Sequence, residues 1–244
     1  MKPQLALHLF KELEKKKPKC FGHNYAIFEK YDGWYGYIDF DGTMDAQIMS
    51  RRERAIPSLR KFSRLLCQAA RLAEITHGRL IFEIQIAGVP EFSELNGILN
   101  RSKGECEATQ AYLRVHDFVV DGSKTFARRY DSAKYVVDAL QMPRVFIAPI
   151  IATGTTHSIQ RAAEEIWERG GEGAIGKRLD APYEPGKRNF GLLKVKEEVS
   201  VEFKVTGVIQ GEGKYFNTLG ALRCADKHGN EHTVSGMTDA QRDE

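Results

Sequence analysis

The chain has 244 residues, 42% hydrophobic and 28% charged, with a formal net charge of +3. That length buries a substantial core and suits one large domain, alone or with a small companion. Apolar runs such as residues 145–152 are too short to cross a bilayer, and the first ten residues lack an apolar segment followed by a small-residue cleavage site, so neither a membrane span nor a secretory leader is expected.

Leu5, Leu7, Leu9, Phe10 and Leu13 among lysines predict an amphipathic helix over residues 4–17, ended by Pro18. Residues 25–28 and 34–40 are aromatic and β-branched and predict two strands joined by an Asp32-Gly33 turn. A second Asp-Gly pair, Asp41-Gly42, precedes a further strand at 46–49. Pro57 opens a helix in which Leu59, Phe62, Leu65, Leu66, Ala69 and Ala73 recur at helical spacing. Residues 79–86 alternate, with Leu80, Phe82, Ile84 and Ile86 on one face and Glu83 on the other. Residues 112–120 form another strand, and helices follow near 125–140 and 155–170, the second stopped by Gly170-Gly171. Strands then dominate, at 173–178, 190–196, 201–210, 219–225 and 231–235. This order predicts an α+β domain over residues 1–199 and a small β domain over 200–244.

Cys20, Cys67, Cys106 and Cys224 form no C-x-x-C pair, which argues against a zinc ribbon and fits free thiols in a reducing cytosol. The seven histidines lack metal-ligand spacing; His228 and His232 flank a Gly229-Asn230 turn and read as a hairpin cap. Basic pairs such as Arg51-Arg52, Arg60-Lys61, Arg128-Arg129, Lys177-Arg178 and Lys187-Arg188 each read singly as a solvated face.

Four features carry chemistry. Lys30 lies among aromatics, beside Glu29 and ahead of Asp32-Gly33, where its charge is awkward to solvate. Glu83 is an acid within an apolar strand. Glu172-Gly173 and Lys177 follow the double glycine. Lys194 and Lys196 share one strand face, which suits either a solvated edge or an anion held between them.

Taken in this order, with Ser50-Arg51, Asp117-Phe118 and the stretches 211–222 and 235–242, these features resemble the ATP-dependent DNA ligases of compact phage, viral and bacterial type, members of the covalent nucleotidyltransferases. Each motif alone is weak, but six in the family's order are specific. The resemblance implies an ATP-grasp-like adenylation domain followed by an OB-fold domain. It implies ATP as AMP donor, Mg²⁺ or Mn²⁺ as cofactor, and nicked duplex DNA as partner of a monomer in the cytoplasm, the bacterial host's if phage-encoded. Lys30 would attack the α-phosphate, and an amine attacks only when unprotonated, a form that apolar surroundings and nearby cations favour. Asp32-Gly33 would present Lys30, with Asp32, Lys194 and Lys196 also in the catalytic set. Glu29, Lys30, Gly33, Arg51, Glu83, Phe118, Glu172, Lys177, Lys194 and Lys196 would form the nucleotide site, with Phe118 stacked on adenine and Glu83 and Glu172 holding the metal. Arg51, Arg52, Lys187 and Arg188 would meet DNA, Arg51 at the nick's 5′-phosphate.

Three departures stand against that pattern. Tyr35 replaces an arginine common in relatives, and Glu53 stands where glycine is common. Only about three strand candidates follow Val199, short of a five-stranded barrel, and the family's final basic motif is unmatched, so self-adenylylation is expected to be weaker than sealing of an adenylylated nick. An RNA ligase, a GTP-using capping enzyme and a non-catalytic nucleic-acid-binding module stay as alternatives.

Overall fold

The computed structural model describes residues 1–89, 92–101, 110–197 and 201–243. Cys106 and the domain boundary expected at 199–200 lie outside the described residues. The chain divides into two units, residues 1–197 and 198–244.

The first unit holds two five-stranded sheets. One runs in the order β1 (Leu5–His8), β10 (Arg188–Lys196), β9 (Gly173–Arg178), β2 (Tyr25–Glu29), β8 (Ala152–Gly154), with β1 parallel to β10. Helices α1 (Leu9–Leu13) and α5 (Thr156–Glu168) cover its outer face, where Leu9, Tyr25, Ile27, Ile159, Ile166, Leu193 and Val195 form a core. The other sheet runs β4 (Met49–Ser50), β3 (Trp34–Phe40), β5 (Gly78–Ile86), β6 (Ala111–Val119), β7 (Val145–Ile147). Helices α2 (Arg60–Leu72), α3 (Phe92–Leu99) and α4 (Phe126–Leu140) contribute to the larger core on its outer face, built on Ile38, Leu66, Leu80, Phe82, Ile84, Leu95, Leu113 and Val136. Strand β2 is apolar on both faces: Tyr25 and Ile27 enter the α5 core, whereas Ala26 and Phe28 join Phe126, Tyr130 and Ala148 in a third cluster.

The N-terminal helix expected over 4–17 is replaced by strand β1 and the short α1. Leu5, Leu7 and Leu9 are spaced by two as well as mixed with lysines, and pairing with β10, which sets Leu7 opposite Leu193, selects the period of a strand. The strand expected at 46–49 shrinks to Met49–Ser50, paired with Tyr37 and Gly36. Helix α3 and strands β7 and β8 were not among the predicted elements.

The second unit is an antiparallel sheet of β11 (Lys204–Gln210), β12 (Leu219–Ala225) and β13 (Glu231–Val234), followed by α6 (Asp239–Asp243). Asp226 caps the β12–β13 turn: its Oδ1 accepts from the backbone N–H of His228 at 2.8 Å and of Asn230 at 2.9 Å, and His232 Nε2 lies 3.4 Å from its Oδ2. Arg242 donates to the carbonyls of Leu219 and Gly220 and covers the Tyr215 ring.

Candidate active site

The inner faces of the two sheets in the first unit border a cleft of about 1060 Å³. Lys30 stands just past the end of β2, and its backbone N–H donates to the Gly173 carbonyl at 2.8 Å. This ties it to the start of β9, where Gly173 has φ 137° and a Cβ would come within 2.2 Å of the Val195 carbonyl oxygen. Only glycine fits there without moving β10. The same junction puts Glu172 beside Lys30, with carboxylate and ammonium 2.5 Å apart. The charge that the sequence sets in surroundings awkward for solvation is therefore ion-paired.

Across the cleft, Glu83 on β5 lies opposite Tyr35 on β3 and Arg114 on β6. Burial drives the Glu83 carboxyl up to about 7, with the Lys30 charge opposing and the Glu172 carboxylate adding. Period-two alternation places Lys194 opposite Ile175 and Leu192 opposite Lys177, so Lys177, Lys194 and Lys196 share the cleft face of β9 and β10. Burial lowers the Lys194 ammonium below its ordinary value, helped by the charges of Lys196, Lys30, Arg188 and Arg51. These five cations outnumber the carboxylates Glu83 and Glu172 that share their field, which suits an anionic ligand.

Glu29, Asp32, Gly33, Arg51, Arg52 and Arg188 also line the cleft. Glu29 accepts from Arg169 at 2.7 Å. A tight turn presents the two arginines: Ser50 N–H donates to the Arg54 carbonyl and Glu53 N–H to the Ser50 carbonyl. Glu53 there has φ 57°, in the left-handed region that favours glycine. Lys187 is exposed, pairs with Glu184 at 3.2 Å and does not line the cleft.

Phe118 is a correction. Strand β6 slips register between Val115 and Asp117, leaving His116 as the extra residue. Beyond that bulge Phe118 pairs with Leu80 and joins the core under α2 and α4, its ring against Gly78. It is 5% exposed and faces away from the cleft, so it cannot stack on a nucleotide there. His116 and Asp117 are the residues of this segment that line the cleft.

The floor holds a polar network that the sequence reading missed. Arg129, read as half of a solvated pair, is buried on α4 and bonds both Asp117 oxygens, at 2.9 and 3.3 Å. It also donates to the carbonyls of Lys124 at 2.6 Å and Ala181 at 3.1 Å. Lys177 donates to His116 Nδ1 at 2.8 Å, to the His116 carbonyl at 3.1 Å and, at 3.5 Å, to Asp117. Burial holds the Lys177 ammonium down to about 8, with Asp117 opposing and Arg129 adding. Burial and the Lys177 charge push His116 well below its ordinary value. The imidazole is neutral, and with Nδ1 accepting from Lys177 its proton sits on Nε2. The available signal was spacing: Arg129 falls on the apolar stripe of Phe126, Tyr130, Ala133 and Val137, where a cation demands a buried carboxylate.

Residues 3–196 match the ATP-dependent DNA ligase domain family. The chain belongs to that family. The chain is 27% identical over 202 residues to the multifunctional non-homologous end joining protein LigD of Mycolicibacterium smegmatis, covering 81% of this chain and 25% of that protein. It is 27% identical over 209 residues to a DNA ligase of Methanothrix thermoacetophila, covering 82% of this chain and 37% of the relative. The chain thus spans well under half the length of these curated relatives. Among solved structures, a Lig E DNA ligase superposes with a TM-score of 0.74 at 19% identity, covering 99% of this chain and 87% of the other. The bacteriophage T7 ATP-dependent DNA ligase in complex with ATP gives a TM-score of 0.63 at 18% identity, covering 98% and 82%. Both likenesses are of fold.

Proposed function

We propose that this ligase domain becomes adenylylated on Lys30 by ATP and seals 5′-phosphate/3′-hydroxyl nicks in duplex DNA. The observation that carries the reading is the convergence on one cleft of Lys30, its Glu172 partner, Glu83 and the lysines of β9 and β10. Lys30, freed from Glu172 and deprotonated, attacks the α-phosphate of ATP; the N–P bond forms as the bond to pyrophosphate breaks. Lys194 and Lys196, which line the same cleft, would neutralise the negative charge that builds on the displaced group. AMP then passes from Lys30 to the nick's 5′-phosphate, and the 3′-hydroxyl displaces it in line. Arg51, at the tip of its turn, suits the 5′-phosphate by its planar fork.

Glu83 and Glu172 fit a small divalent cation. Their mutual repulsion helps raise the Glu83 carboxyl, and hard oxygen donors suit Mg²⁺ or Mn²⁺. Among the described residues no three His, Cys, Asp or Glu side chains form a cation-binding group, so these two carboxylates would share the ion with phosphate oxygens and water. When bound, the ion would supply neutralisation of phosphate charge. Among the described residues no helix is long and apolar enough to cross a membrane, and the buried thiols Cys20, Cys67 and Cys224 are free. We take the domain to act as a monomer in the cytoplasm, with the second unit as part of an OB-fold.

Intact mass after incubation with Mg²⁺ and ATP or GTP tests the reading, with Lys30→Ala alongside. An AMP adduct lost in Lys30→Ala is expected. A GMP adduct would move the assignment to capping. No adduct, together with failure to seal a pre-adenylylated DNA nick, would reduce the chain to a binding module.

A further inference from the structure

Arg129 is not itself among the residues lining the cleft, yet it grips the lining carboxylate, Asp117, that is shared with the cleft's most buried lysine. Asp117 is 2% exposed, Arg129 4% and Lys177 8%. The guanidinium takes both Asp117 oxygens, at 2.9 and 3.3 Å, while Lys177 reaches the same carboxylate only at 3.5 Å, the outer limit of a hydrogen bond. Two of the three ammonium protons of Lys177 are engaged by His116, and the third is loosely held. The network has no ligand site of its own: the void between Asp117, Arg129, Lys177, Gln4 and Leu192 is about 10 Å³, room for one water at most.

We propose that Arg129 is a positioning residue for nucleotide binding: by occupying Asp117 from beneath the cleft floor, it keeps one donor of Lys177 free for the substrate. The assignment rests on the ligase reading of the cleft. Without Arg129, the buried Asp117 would have Lys177 as its one ion-pair partner among the described residues and would draw the ammonium into a full ion pair, away from the cleft. Removing the carboxylate charge as well would release Lys177 again. A purely structural role predicts the opposite order, since the double variant restores no lost contact.

The test is ATP affinity by titration calorimetry in EDTA, where binding is read without turnover, with a melting curve for each protein. Arg129→Gln is expected to bind ATP about tenfold more weakly than the unaltered chain, and Arg129→Gln/Asp117→Asn within about twofold of it. Arg129→Lys, which keeps the charge and loses the fork, is expected within about threefold and carries the comparison if Arg129→Gln fails to fold. Equal affinity in Arg129→Gln and the unaltered chain, a double variant as weak as the single one, or a tenfold loss in Arg129→Lys would overturn the assignment alone. No ATP binding by the unaltered chain would overturn the ligase reading and this assignment together.

Discussion

Glu83 shows how one side chain sets both stability and pH dependence. Its carboxyl is raised from 4.5 to about 7, burial being the main cause, so it gains a proton more readily folded than unfolded. Between about pH 4.5 and 7 the folded state therefore binds more protons, and stability falls as pH rises through that window before levelling. Glu83→Gln removes this slope. At pH 8 it is expected to exceed the parent stability by on the order of 1–3 kcal/mol, less where solvent screens the charge, with little difference at pH 4.5. Urea denaturation at the two pH values checks this, and an unchanged slope in the variant would refute it. The same titration bears on activity with the opposite sign. A carboxylate holds a cation only when ionised, so self-adenylylation of the parent should decline below about pH 7.

Single elements explain which expectations the structure met. The turn Ser50–Arg54 presents Arg51 and Arg52 through a left-handed residue, and this chain places Glu53 at φ 57° there. Glu53→Gly is expected to stabilise by about 1 kcal/mol, relief of left-handed strain outweighing the added chain entropy. A midpoint shift in urea at unchanged slope would show it; a destabilised variant would mean the Glu53 side chain is needed. The Lys30 turn, the strand face bearing Glu83 and the pair Lys194/Lys196 were legible because period-two alternation and Asp-Gly chemistry are local signals. The face of Phe118 was not legible, since a one-residue bulge at His116 reverses the alternation and no local residue announces it. Strand β1 escaped for a related reason: Leu5, Leu7 and Leu9 satisfy two periods, and only a distant partner strand, which sets Leu7 opposite Leu193, chooses between them. Arg129 was hidden by its exposed neighbour Arg128, although the apolar stripe around it marked it as buried.

At the scale of the molecule, a net charge of +3 spread evenly would attract nucleic acid weakly. The distribution is uneven. Among the described residues lining the cleft, Arg51, Arg52, Arg54, Arg188 and Lys196 are exposed cations, whereas Asp32 is the only exposed acid. The acids Glu29, Glu83, Asp117 and Glu172 lie deeper, where Arg169, Lys30 and Arg129 already attend to three of them. An interior of acids and lysines ringed by exposed cations suits the two tasks proposed for it: cation and nucleotide chemistry inside, phosphate contact at the rim. Each rim cation that meets a phosphate releases condensed counterions, so about five contacts predict a slope of log K against log[salt] near −4.5. Nick binding should then weaken on the order of several hundredfold between 50 and 200 mM salt. Fluorescence anisotropy with a nicked duplex measures this directly. Arg52→Ala and Arg54→Ala should each make the slope shallower by about 1, with little dependence on nick sequence, since phosphate contacts carry no base information. A slope near zero in the parent protein would show that the rim does not meet the duplex. Equal slopes in the parent and both variants would place the phosphate contacts away from the Ser50–Arg54 turn.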